Sequence, residues 1–226
     1  MRFLNRVRLS PTRGSKLVHE SLEIPSSPRR PRLVVTVSGH GARGIFPSRK
    51  SVTPAQFESI NEAMMLLVAE VAPSVKSIAT QPQVFEYFDG ERRRRYTPDL
   101  KIEVDAGTVF LEVKDNKSIT KHSQATVRVS AAAKYLRQRG IRFHLVLRSD
   151  LIANDLQRQL ELILKARPMP GRYRPNIDAT LWDPEHGTHP SAEVQQQWEV
   201  AKRECDALLH RIMKRDPDDL LPVSIR

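Results

Sequence analysis

The sequence predicts an α/β protein with a mixed central sheet flanked by helices and a small helical region at the C-terminal end. Three observations carry that expectation. Apolar residues recur at steps of three and four over 57–71, period-two alternation runs through 96–117 around Ala106-Gly107, and a second helical pattern over 123–140 leads into "IRFHLVLR".

Composition bounds the protein before any motif is read. At 226 residues and 39% hydrophobic content the chain supplies one sizeable core. No run of about 18 apolar residues offers a membrane span, and the Arg-rich start lacks the apolar stretch of a secretory signal, so no membrane association and a cytoplasmic location are expected. The single cysteine, Cys205, excludes an internal disulfide and a Cys-only zinc site. Thirty-seven Lys and Arg against 26 Asp and Glu leave +11, with an isoelectric point near 10.1. Such a field attracts polyanions, nucleic acid first, against the plainer reading of a generally basic protein. Arg43, Arg49 and Lys50 before the first helix, and the run Arg92, Arg93, Arg94 and Arg95, are the candidate DNA contacts, of the kind that bind phosphates without regard to sequence.

Taken in order, residues 1–40 are rich in Pro, Ser and Arg and read as an irregular basic arm. The glycines of "VSGHGARGIFPSRK" form a loop without the spacing of a phosphate-binding loop. At "TPAQ" the first helix is expected to begin, with Thr53 as N-cap, Pro54 in the first position and Gln56 closing a capping box. Phe57, Ile60, Met64, Leu67, Val68 and Val71 form its core stripe, and Pro73 stops it. Glu58 and Glu62 share a neighbouring face, where the plainer reading is a solvated edge. "SVKSIATQPQVFEYF" follows as extended chain interrupted by Pro82, then the "DGERRRR" turn.

With Ala106-Gly107 as a two-residue turn, Leu100, Ile102 and Val104 face Val113, Leu111 and Val109 on one apolar side of a half-buried hairpin. Asp99 then lies opposite Lys114, and Lys101 opposite Glu112, so Asp99, Glu112 and Lys114 gather on the other side. Two carboxylates about 5 Å apart repel by roughly 3 kcal/mol at an effective dielectric near 20, and Glu62 arriving from the helix adds to that. A cation must be close. Lys114 is one, and hard carboxylates select magnesium or manganese rather than zinc as another. The competing reading is an ordinary exposed cross-strand ion pair.

Pro98-Asp99, twelve residues, then Glu112-Val113-Lys114 resembles the PD-(D/E)xK nuclease motif. A longer resemblance joins it: "RGIFPSRK" (43–50), "FESINEAMMLLVAEVAPSVKSIATQPQVFEYFDG" (57–90), "RYTPDLKIE" (95–103) and "LEVK" (111–114) are similar in order and spacing to TnsA, the endonuclease family of heteromeric cut-and-paste transposases. That resemblance implies a restriction-endonuclease-like core over 41–149 and catalytic residues Glu62, Asp99, Glu112 and Lys114, with Gln81 in support. Where the family helix carries a Leu-Glu-Arg run this chain reads "INEAMM", which leaves Glu58 as the alternative to Glu62. The resemblance further implies Mg2+, for which Mn2+ can substitute, held by Asp99, Glu112, the Val113 carbonyl and Glu62, while Lys114 orients the attacking water. It implies cleavage of double-stranded DNA at the 5′ ends of the transposon, alongside a TnsB-like transposase and a TnsC-like ATPase regulator. Two other readings stay open: a DNA-binding assembly subunit with an idle centre, and a standalone restriction or repair nuclease.

From about residue 150 the character changes. Residues 150–226 read as a helical region built from "SDLIANDLQRQLELILKA", a Pro- and Gly-containing linker over 167–190, and "SAEVQQQWEVAKRECDALLHRIMKR". It either packs back on the core or docks a partner subunit. His186, His189, Cys205 and His210 match no standard zinc spacing, and His144 reads as an ordinary strand histidine.

Overall fold

A central sheet of four strands is the frame of the computed structural model, which describes residues 42–88, 91–119, 123–166 and 192–221. The basic arm expected over 1–40, the linker over 167–190, and His186 and His189 lie outside the described residues. In chain order the elements are β1 (Gly44–Phe46), β2 (Ala55–Phe57), α1 (Ile60–Val71), β3 (Val75–Thr80), β4 (Phe85–Phe88), β5 (Arg93–Tyr96), β6 (Leu100–Val104) and β7 (Gly107–Lys114). Then come α2 (Gln124–Gln138), β8 (Phe143–Leu147), α3 (Arg148–Leu151), α4 (Leu156–Ala166) and α5 (Ala192–Lys214). The central sheet runs β3-β6-β7-β8, antiparallel except for the parallel pair β7-β8, and helices cover both faces. This mixed α/β arrangement is consistent with a restriction-endonuclease-like fold.

The first helix starts later than its sequence signals indicate. Residues 55–57 pair with β1 instead, and the Gln56 N–H donates to Thr80 Oγ1 at 3.0 Å, so strand pairing overrides the Thr53-Pro54 start. Gly44 belongs to that pairing: a Cβ there would stand 2.6 Å from the Phe57 ring. Ser59 is the true N-cap, its hydroxyl accepting from the Glu62 N–H at 3.2 Å. Once begun, α1 is buried on almost every side: Met65, Leu66, Val68, Ala69 and Val71 are inaccessible, while Ile60, placed in the expected stripe, is half-exposed. The reason is that the sheet covers one side of α1, and α4 and α5 cover the other through Leu160, Ile163, Trp198, Cys205 and Leu209. Ser74 donates through both its N–H and its hydroxyl to Asp206 Oδ1, pinning α5 beside the end of α1.

The hairpin is shifted by two residues from the expected register. Leu100 pairs Leu111, Ile102 pairs Val109 and Val104 pairs Gly107, which makes Asp105-Ala106 the turn and puts Gly107 at its exit with φ of +102°, a conformation only glycine adopts readily. A shift of two preserves the side-chain alternation, so the apolar face survives intact. Continued by one step, the observed register sets Asp99 across from Glu112 rather than Lys114. Nor is the hairpin half-buried: β8 lies beside β7 and α2 covers the second face, so β7 is buried from Val109 to Val113. Phe110 packs there edge-to-face on Phe85, with Val129, Ala132 and Leu136 of α2 above it.

The "DGERRRR" segment is more than a turn, since Arg93, Arg94 and Arg95 are strand residues of β5 paired with Phe88, Tyr87 and Glu86. The helix expected from Ser149 onward is broken: Asn154 and Asp155 both have φ of +57°, and α4 begins only at Leu156.

Candidate active site

The start of β6, the end of β7 and the N-terminus of α1 meet at one end of the sheet, and each brings part of the expected set. From β7, Glu112 and Lys114 point to the same side by strand alternation, and their carboxylate and ammonium form an ion pair. Just before β6, Asp99 accepts a hydrogen bond at Oδ2 from the Val113 N–H at 2.8 Å and faces Lys114 Nζ at 3.5 Å. Lys114 Nζ also donates to the Val113 carbonyl at 3.2 Å. Three oxygens therefore converge on one ammonium: Asp99 Oδ2, Glu112 Oε1 and the Val113 carbonyl. They are the strand ligands expected for a metal ion.

Burial makes this cluster electrostatically tense. Glu112 is 4% exposed, and besides Lys114 its carboxylate has the buried Tyr96 hydroxyl as a hydrogen-bond neighbour. Burial and then the Asp99 charge push its carboxyl up to about 7. Burial likewise raises Asp99, with Lys114 and the Val113 amide opposing. For Lys114 burial works downward, but Asp99 and Glu112 outweigh it and lift the ammonium to about 12. It stays charged at any ordinary pH. Tyr96, buried beside Phe143 and in the field of Glu112, has its hydroxyl pushed well above its usual range by burial first and that carboxylate second.

Glu62 approaches from α1. Its Oε2 accepts from the Glu58 N–H at 2.8 Å and its Oε1 from the Ser59 hydroxyl at 2.8 Å, completing a capping interaction around the first turn. Burial raises its carboxyl, and the Asp99 charge adds to that. Glu58 is close as well, since its charge acts on Asp99 and its Oε1 accepts from Gln81 Nε2 at 2.9 Å. Both glutamates left open by the sequence therefore border the site, one bonded to the capping Ser59 and the other to Gln81.

As for an ion, no three His, Cys, Asp or Glu side chains among the described residues stand together in metal-holding geometry. What fits is the chemistry of the donors: hard oxygens only, from two carboxylates and a backbone carbonyl, with more negative charge than Lys114 alone balances. Asp99, Glu112 and the Val113 carbonyl would hold such an ion, with Glu62 next in reach.

The basic candidates divide. Lys50 is a correction: it is buried, and its ammonium donates to the Ala69 and Ala72 carbonyls at 3.0 and 2.6 Å, closing the C-terminus of α1 where the helix dipole favours a cation. Its loop is fixed by Glu70, fully buried, which accepts from Ser48 Oγ and the Arg49 N–H. Arg43 and Arg49 are half-buried on the same segment. Arg92, Arg93 and Arg95 are exposed, Arg95 sharing its charge with Glu86 at 3.0 Å, while Arg94 is half-buried.

Sequence reasoning missed Ser59, Tyr96 and Arg148. The Ser59-x-x-Glu62 spacing was a readable cap signal. Nothing local marks Tyr96, or Arg148, whose guanidinium donates to Asn61 Oδ1 at 3.0 Å beside Glu62. The imagined zinc group gains nothing: Cys205 is buried, and burial pushes its thiol up to about 12.

Residues 72–148 match the family described as TnsA-like endonuclease N terminal, about a third of the chain, from the end of α1 to the end of β8. The match takes in Asp99, Glu112 and Lys114 and begins beyond Glu62. This portion of the chain is thus similar to a nuclease domain associated with transposition. No curated protein matches the chain. Among the described residues no helix is long and apolar enough to cross a membrane.

Proposed function

We propose that this chain is a metal-dependent DNA endonuclease subunit of a transposase, hydrolysing phosphodiester bonds at the 5′ ends of a mobile element. The observation that carries the reading is the convergence of Asp99, Glu112 and the Val113 carbonyl on one cationic point, with both carboxylates at the end of the sheet and Glu112 buried. A buried excess of acceptors is costly unless a cation engages it. Mg2+, or Mn2+ in its place, supplies Lewis acidity toward a phosphate oxygen and lowers the pKa of a bound water.

The chain's own groups do the rest. Asp99 and Glu112 would hold the ion at the end of the two central strands, with Glu62, steadied by Ser59 and Glu58, as the further carboxylate from α1. Lys114, once drawn off the carboxylates, places a permanent positive charge where negative charge develops on the phosphorus oxygens and orients the attacking water. Exposed Arg92, Arg93 and Arg95 steer the duplex through its backbone. The similarity to a TnsA-like endonuclease domain supports partners of three kinds: double-stranded DNA at transposon ends, a TnsB-like transposase and a TnsC-like ATPase regulator.

The test is a supercoiled plasmid carrying the element ends, incubated with Mg2+ and the candidate transposase, with wild type set against Asp99→Ala. The expected result is 5′-end cleavage lost in the variant and DNA binding retained. Equal cutting by both proteins would dispose of this centre. One observation favours an idle site in a DNA-binding assembly subunit: Lys114 already pairs with both carboxylates. Wild type that binds the ends and assembles with its partners, yet never cuts, would select that reading.

A further inference from the structure

One residue links the backbone of Asp99 to Glu58 and, through Glu58, to Glu62. Gln81 follows β3 with φ of +46°, a left-handed conformation that strains a non-glycine residue. Its N–H donates to the Asp99 carbonyl at 2.9 Å, and its side-chain Nε2 donates to Glu58 Oε1 at 2.9 Å. The Glu58 N–H in turn donates to Glu62 Oε2 at 2.8 Å. Glu58 and Asp99 carry like charges, and Asp99 feels Glu58. Untethered, the two would separate, and the turn into α1 that carries Glu62 would follow Glu58.

Glycine or asparagine takes up a left-handed backbone at lower cost. Glutamine offers over either one a side chain long enough to donate across to Glu58. The strain is thus retained at a position whose side chain makes a specific bridge.

We propose that Gln81 is a positioning residue, fastening the entry of α1 to the start of β6 and thereby setting the spacing between Glu62 and Asp99. Its functional meaning rests on the nuclease reading. It touches neither substrate nor ion; it acts through the Glu58 side chain and the Asp99 backbone that it holds.

The experiment compares wild type with Gln81→Ala, Gln81→Glu and the double variant Gln81→Glu with Glu58→Gln. The double variant keeps the net charge and restores the bridge with donor and acceptor exchanged. Two readouts are taken: amide hydrogen exchange at Glu58 and Val113 without metal, and calorimetric titration with Mn2+. In both single variants exchange at the two amides is expected to quicken by about tenfold, and Mn2+ affinity to fall by about tenfold to a hundredfold. The double variant recovers both. Unchanged exchange and affinity in the single variants, or no recovery in the double, would overturn the assignment. Wild type that binds no Mn2+ at all would count against the metal-nuclease reading, while exchange at the two amides still decides the role of Gln81.

Discussion

The N–H of Val113 donates to Oδ2 of Asp99 at 2.8 Å, so the aspartate is held by the strand that carries Glu112 and Lys114. Beyond the pair Leu100–Leu111 the backbone ladder with β6 has ended, and the Asp99 side chain supplies the acceptor that a buried N–H requires. On the proposed nuclease reading one side chain has a structural and a chemical task, and substitution can separate them. Asp99→Asn keeps an acceptor and is expected to melt close to wild type while losing cleavage. Asp99→Ala strands the amide and is expected to lose about 1–3 kcal/mol as well. Chemical denaturation beside the plasmid assay checks both.

Glu62 divides the same way. Glu62→Gln retains an oxygen for the Glu58 N–H and the Ser59 hydroxyl, so stability changes little while cleavage falls. Glu62→Ala leaves the Ser59 cap but removes the acceptor of the Glu58 N–H and the Ser59 hydroxyl, at about 1 kcal/mol. Equal cleavage by Glu62→Gln and wild type would shift the catalytic role to another carboxylate, with Glu58 the first to examine.

Lys50 and Arg93 should respond oppositely. Lys50→Met removes an ammonium from the end of α1 and is expected to destabilise by about 1–2 kcal/mol with no change in DNA affinity. Arg93→Ala should leave the melting temperature alone and reduce the slope of log affinity against log salt by about 1. Binding titrations at several salt concentrations distinguish them.

Acid should loosen the attachment of α5. Arg215 donates to both oxygens of Asp150 at 2.9 and 2.7 Å, and also to the Leu145 carbonyl. Burial alone would raise the Asp150 carboxyl, but Arg215 and the Leu147 N–H outweigh it and hold it below its usual value. A depressed carboxyl contributes stability that is fully present above its unfolded pKa, near 3.9, and is lost as pH falls through the folded value. Wild type should therefore lose more stability below about pH 4 than Asp150→Asn does, as melting curves between pH 5 and pH 3 would show.

Cys205 should be silent in the native protein. Buried against α1 and with its thiol pushed up to about 12, it exposes no thiolate to reagents at pH 8. Labelling by a disulfide reagent is expected only after unfolding, and prompt native labelling would contradict the packing of α5.

The sequence showed which side chains share a face but not how far the strands slide. Alternation fixes parity, so Asp99, Glu112 and Lys114 could be grouped correctly while their pairing was off by two. The turn was misplaced because Ala106-Gly107 resembles a two-residue turn, whereas glycine's left-handed backbone serves just after it. The start of α1 was hidden for another reason: Thr53-Pro54-x-Gln56 satisfies the local rules of a cap, and only pairing with β1, remote in sequence, decides otherwise. Burial of Lys50 and the bridge from Gln81 to Glu58 depend on tertiary contacts that no local pattern encodes. A basic residue in a basic protein looks alike at the surface and under a helix end.

α1 lies between the sheet and α5, and one apolar cluster contains Leu66, Ile102 and Leu209 alike. Heating should therefore melt these layers in a single calorimetric transition, without a separate step for the C-terminal helices. Inheritance is bound by the same contact: a change of side-chain volume on α5 is felt across the helix whose first turn presents Glu62, so the two segments must vary in concert.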